Sequence, residues 1–176
     1  MLFVDGDPAA LWHPCVAVVG SRAASAGGRD HTRHFAASLA NAGLGIVSGM
    51  AAGVDAIAHE AALAHADGIT VAVVGTGPDV AYPVQHHSLR DRIAARGAVV
   101  SEYLPGTCAV AAHFPARNRI IAGLALGTLV VEAAMRSGAL ITARLAAEAG
   151  REVFAVPGSL HNPCLLYTSP SPRDKR

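Results

Sequence analysis

A doubly wound α/β fold, with a mostly parallel sheet and helices on both faces, is predicted by three observations. Six short Val/Ile/Leu runs recur along the chain, each ending at Gly, Ser, Glu or Pro. Helix-length segments separate them, as in successive βαβ units with right-handed crossovers. The runs also lack apolar/polar alternation, which is expected of strands covered on both faces.

The elements follow in order. A strand at 16–19 leads through a Gly/Ser-rich loop to a helix over about 30–42, stopped by Gly43-Leu44-Gly45. A strand at 45–47 and a helix over 54–66 follow, with Asp67-Gly68 as the next stop. A strand at 70–74 enters a long loop through Tyr82-Pro83, then a helix over 85–95 ended by Gly97. A strand at 98–100 opens a second long loop, Glu102 to Pro115, before a short helix over 117–125. A strand at 128–131, a helix over 137–149 stopped by Gly150, and a strand at 152–156 complete the pattern. No internal repeat is visible. In parallel strands all six polar ends share one sheet edge, and ligands of open α/β sheets bind at the carboxyl ends of strands.

Composition fits one globular domain. The 176 residues are 52% hydrophobic and 15% charged, which excludes a disordered chain. No apolar run has membrane-spanning length, so no membrane partner is expected. The opening MLFVDGDPAALW has no basic stretch, unlike a secretory leader. Cys15, Cys108 and Cys164 form no CxxC pair and are odd in number, which reads as a reduced, cytoplasmic compartment. The chain divides into a core, residues 1–162, and residues 163–176, where CLLYTSPSPRDKR loses all periodicity and reads as foreign or disordered. That tail holds the only Lys, Lys175, with Arg173, Arg176 and Asp174; without it the chain is near neutral. Global charge therefore announces no nucleic-acid binder, and any polyanion site must be local.

Gly20-Ser21-Arg22, after the first strand, is either an anion cradle or a plain βα turn with a surface Arg. It is not GxGxxG, so no dinucleotide fingerprint is present. Ser48-Gly49 opens the second turn, where Asp55 and His59 share a helix face. With no nucleophile placed nearby, that pair reads as a helix cap and a packing His rather than acid/base machinery. Gly75-Thr76-Gly77 is a third glycine turn, an anion cradle or merely a turn. Tyr82 either stacks a base or anchors its loop.

His113-Phe114-Pro115-Ala116-Arg117-Asn118-Arg119 is the sharpest basic element. Its two arginines grip phosphates, or one pairs with Glu102 or Glu132, and Phe114 offers a stacking surface. Glu132, at a strand end, is a ligand group or an Arg partner. The nine His have no zinc-type spacing, so neither a metal nor another cofactor is expected.

Taken together, VVGSR, SGxAxGVDxxAH, TVAVVGTGxDVxYP, GAVVSEY, HFPARNRIIAGL, VVEAxxRSGALITA and GREVFAVPG closely resemble the DNA-processing protein A family over about residues 1–162. The resemblance implies a Rossmann-like core that binds single-stranded DNA during natural transformation, loads the RecA recombinase and works as a homodimer without chemistry of its own. It places a phosphate-binding pocket on Ser21, Arg22, Ser48, Gly49, Gly75, Thr76, Gly77, Arg117, Asn118 and Arg119, with Phe114 stacking. The sequence departs from the family at Ala52 and at Val110-Ala111-Ala112, where basic or aromatic residues are common, and after Pro157-Gly158, where the tail replaces a further core segment. An alternative of another class is a nucleoside-monophosphate phosphoribohydrolase acting through Glu132. Its PGGxGTxxE signature is not met: no PGG precedes Gly127-Thr128, and Glu132 falls one residue late.

Overall fold

The computed structural model describes residues 1–134 and 137–157. Its elements, in chain order, are β1 (Phe3–Gly6), β2 (Cys15–Val19), α1 (Ala26–Asn41), β3 (Gly45–Ser48), α2 (Val54–Ala64) and β4 (Thr70–Val73). Next come α3 (His87–Arg96), β5 (Ala98–Ser101), α4 (His113–Leu124), β6 (Gly127–Val130), α5 (Gly138–Glu148) and β7 (Glu152–Ala155). The strands form one sheet in the order β1-β5-β4-β3-β2-β6-β7. β2 to β7 are parallel, with Val16 opposite Ile46 and Gly127. The parallel, doubly wound reading therefore stands.

Successive strand residues point to opposite faces, and both faces are covered. Val18, Ile46, Leu129 and Val131 pack on α1 and α2, while Ala72, Val74 and Val99 pack on α2 and α3. On the other face Ala17, Val19, Val47, Val73 and Val100 meet α4 and α5 through Ile120, Ile121 and Ala139.

Three features differ from expectation. β1 is an additional strand, antiparallel to β5, with Phe3 opposite Ser101. α1 begins at Ala26 rather than 30: Ser25 Oγ accepts from Gly28 N at 3.0 Å, capping a turn that its two glycines disguise as a loop. α4 begins at His113 rather than 117, because Pro115 sits in the first turn, where its missing N–H is not needed. The proposed partition at residue 163 lies outside the described residues.

Candidate functional site

The strand order reverses between β2, which leads on to β3, and β6, and the crevice at that point is formed by the loops after β2, β3 and β6. The first two loops are packed backbone on backbone. Val54 N donates to Ser21 O at 3.1 Å. Gly53 has φ +81°, and a Cβ there would lie 2.7 Å from Arg22 C. Met50, at φ 58°, is fully buried against Ala72, Val74, Leu89 and Ile93, at a backbone position that L side chains adopt only under constraint.

Arg117 reaches into this junction from α4 and is only 5% exposed. One terminal nitrogen donates to Gly49 O at 2.8 Å and to Val73 O, and Nε donates to Asn118 Oδ1 at 3.0 Å. Gly49 makes room for it, since a Cβ there would fall 2.5 Å from the Arg117 Cζ. Asn118 in turn donates to Gly138 O at 3.3 Å, tying α4 to the start of α5. Burial lowers the Arg117 pKa, which nearby Asp55 counteracts. Burial likewise raises the carboxyl of Asp55, against the pull of Arg117 and the Ala51 and Gly49 backbone. The other half of the suspected pair, His59, is fully buried and faces Thr70 at 2.7 Å. Thr70 spends its one hydroxyl proton on Ile46 O, so His59 Nδ1 is the donor and Nε2 is a buried lone pair without a partner among the described residues. Burial, then the electrostatic influence of Arg117 and His86, push its pKa down to about 3. A neutral, buried His fits the packing reading of the sequence.

Above Arg117 lies a pocket of about 230 Å³, lined among others by Ser21, Arg22, Asp55, Ser137 and Thr142. Arg22, which lines it, also faces a group of aromatic rings outside the pocket. The exposed Arg22 guanidinium lies 5.9 Å from the centroid of Phe114, whose ring is 5.1 Å from that of Tyr82. Tyr103 stacks on His113 at 3.7 Å beside them.

The predicted site residues thus separate by depth. Ser21, Arg22 and Phe114 are brought together at the surface, with Arg117 and Asn118 beneath. Ser48 is fully buried beneath the surface, and its hydroxyl donates to Val18 O at 2.6 Å. Gly75-Thr76-Gly77 is built as a turn. Gly75 abuts the Phe114 ring, Thr76 Oγ1 donates to Val80 O, and Gly77 N donates to Thr107 O at 2.8 Å. Arg119 is on the outer face of α4, 59% exposed and paired with Glu102. Glu132 is not a ligand group in the pocket. Its carboxylate accepts from Ser25 N and Oγ at 3.1 and 2.8 Å, capping α1. Asp55 and Ser137 are pocket residues that the strand-end motifs did not single out as ligands. The hydroxyl of Ser137, at the start of α5, was the signal available. Among the described residues no group of His, Cys, Asp and Glu could hold a metal ion.

An open parallel sheet wound on both faces, with a polar pocket at its strand-order reversal, defines a Rossmann-like domain. The chain belongs to the DNA recombination-mediator protein A family, whose model matches residues 1–168. It is 52% identical over 160 residues to DNA processing protein DprA of Streptococcus pneumoniae, covering 91% of this chain and 56% of that protein. It is 49% identical to protein Smf of Escherichia coli, covering 92% of this chain and 43% of the relative. The chain therefore spans about half the length of these curated relatives. The solved structure of DNA processing protein A from Helicobacter pylori, described for its single-stranded DNA binding mode, superimposes with a TM-score of 0.85 at 34% identity. It covers 92% of this chain and 74% of that one.

Proposed function

We propose that the carboxyl-end face of this sheet binds single-stranded DNA. The observation that carries the reading is an exposed arginine, Arg22, set beside the rings of Phe114 and Tyr82 at the mouth of an arginine-floored pocket. Phosphates are held by Arg22, the Ser21 hydroxyl and Arg119 once it leaves Glu102. Bases stack on Tyr82 and Phe114 at roughly 1–3 kcal/mol each, in a sequence-tolerant manner. Asn118, Ser48, Gly49 and the Gly75–Gly77 turn shape this surface from below. The DNA-binding relative from Helicobacter pylori supports the assignment. Ala52 is half-buried and Ala111 and Ala112 are exposed, so three positions on or near this surface lend no cation. Fewer phosphate contacts mean weaker binding and a shallower salt dependence, by about 0.7 in log–log slope per lost contact.

The further roles implied by the family, loading of the RecA recombinase, homodimerisation and a cytoplasmic setting in natural transformation, belong to the same proposal. Cys15 and Cys108 are free thiols, in keeping with a reducing compartment. Among the described residues no helix is long and apolar enough to cross a membrane.

Fluorescence anisotropy of a labelled oligo-dT across a salt series, with matching duplex as competitor, tests the binding. Salt-sensitive binding that prefers the single strand, weakened to a similar degree for every sequence by Arg22→Ala, is expected. Equal competition by duplex overturns the proposal. Sedimentation of the same protein tests the dimer, and a single monomeric species overturns that part.

A further inference from the structure

We infer that Arg90 is a positioning residue for base stacking: it holds the strap that carries Tyr82, and Asp5 of the edge strand β1 holds Arg90. The inference rests on the single-stranded DNA reading only for what stacks on Tyr82.

Tyr82 is 43% exposed, and its ring lies 5.1 Å from that of Phe114. It stands on neither a strand nor a helix, so its place is set by how the chain between β4 and α3 is tied down. At one end of this strap Arg90 reaches back from α3 and donates twice to Pro78 O, from Nε at 3.0 Å and from a terminal nitrogen at 2.9 Å. The same terminal nitrogen donates to the Asp5 carboxylate, and the other donates to Asp91 at 2.9 Å. At the far end His86 Nδ1 lies 2.9 Å from Met50 O. Between these ties Asp79 accepts from Gly106 N at 2.8 Å, but Asp79 is exposed and water competes for that bond. The Arg90 side chain is only 13% exposed, which makes its hydrogen bonds the shielded ones.

Arg90 thus joins β1, the strap and α3 through one guanidinium. Asp5 is paired opposite Val99 of β5, so the anchor belongs to the sheet itself. Pro78 is buried, and no other described residue donates to its carbonyl. Without Arg90 that carbonyl must turn toward water to find a partner, and the turn is passed to Tyr82 four residues on. Arg90 itself is poorly suited to grip phosphate: two carboxylates, Asp5 and Asp91, face its single charge, and it does not line the pocket at the strand-order reversal.

The test compares oligo-dT with an abasic strand of equal length, which offers phosphates without bases, by anisotropy across a salt series. Arg90→Ala is expected to weaken oligo-dT binding about fivefold, part of one stacking contact, and to leave the abasic strand and the salt slope unchanged. In a Tyr82→Ala background Arg90→Ala should weaken binding no further. Asp5→Asn, a milder change at a partly exposed site, should weaken oligo-dT in the same direction, by about twofold. Equal loss on both strands, or a slope shallower by about 0.7, makes Arg90 a phosphate contact and overturns the inference. Additive losses with Tyr82→Ala overturn it, as does a lowered urea midpoint with unchanged affinity. A readout without DNA separates this inference from the binding reading. With fluorotyrosine incorporated, the resonance lost in Tyr82→Phe is that of Tyr82, and Arg90→Ala should shift it while the Tyr103 resonance stays in place. An unmoved Tyr82 resonance overturns the inference. A shifted one, in a protein whose parent binds no DNA, upholds the positioning and overturns the DNA reading alone.

Discussion

Replacing Arg117 by Ala tests whether this residue is chiefly a brace or chiefly a ligand. Its guanidinium satisfies the carbonyls of Gly49 and Val73 and the Asn118 amide oxygen at the junction of α4 with the β3 and β4 ends. Removal leaves two buried carbonyls unpaired, at about 1–3 kcal/mol each, and strips Asp55 of its nearest cation. Relief from burying a guanidinium offsets part of this. The net loss should be about 3–5 kcal/mol, the range for removing one partner of a buried charge pair. That is a large share of a typical total of 5–15 kcal/mol. At about 2–4 °C per kcal/mol for a chain of this size, the melting temperature should fall by roughly 6–20 °C. Thermal melts by circular dichroism, paired with urea midpoints, give the reading. Arg117→Lys keeps the charge but cannot reproduce the planar fork, and should lose most of the same stability. A melting temperature within a degree of the parent for either variant, with DNA affinity lost, would refute the brace.

Three further outcomes follow from the same geometry. His59 has a folded pKa depressed from 6.5 to about 3, so its contribution is present above pH 6.5 and is lost as pH falls toward 3, ~4–5 kcal/mol in full. His59→Gln should flatten the fall of the urea midpoint across that window, and an equally steep profile would contradict the assignment. Gly53→Ala places a Cβ against the Ser21–Arg22 backbone at a positive φ and should cost more than about 1 kcal/mol in urea unfolding. Glu102→Gln frees Arg119 from an exposed pair, so stability should change by less than about 1 kcal/mol while single-strand affinity rises and its salt dependence steepens. Unaltered anisotropy curves would remove Arg119 from the binding surface.

The parallel strands were legible because burial on both faces writes continuous Val/Ile/Leu runs. β1 was not: Phe3-Val4-Asp5-Gly6 is four residues with an Asp and a Gly, and only its pairing with β5 makes it a strand. The start of α1 was hidden for a related reason. Gly28 resembles a loop residue, yet it is small because the Glu132 carboxylate, over a hundred residues away, occupies the place of a side chain. Within the site, the sequence named Arg22, Phe114 and Arg117 as cation, ring and cation. It could not sort them by depth, because the acceptors that bury Arg117 are backbone carbonyls from two other elements. The depth of Ser48 was hidden on the same ground, since its acceptor is the Val18 carbonyl of the neighbouring strand.

The two outermost strands of the sheet, β1 and β7, are also the first and last strands among the described residues. Six strand spacings of about 4.8 Å set them ~29 Å apart. Any module joined ahead of β1 is thus kept a full sheet width from any module joined after β7. The fold acts as a spacer: it suits a tandem arrangement with the strand-end surface open between the two attachments, and it is a poor candidate for insertion into a surface loop of another protein. A donor–acceptor dye pair at residues 3 and 155 would report that separation directly and would register any event that brings the flanks together.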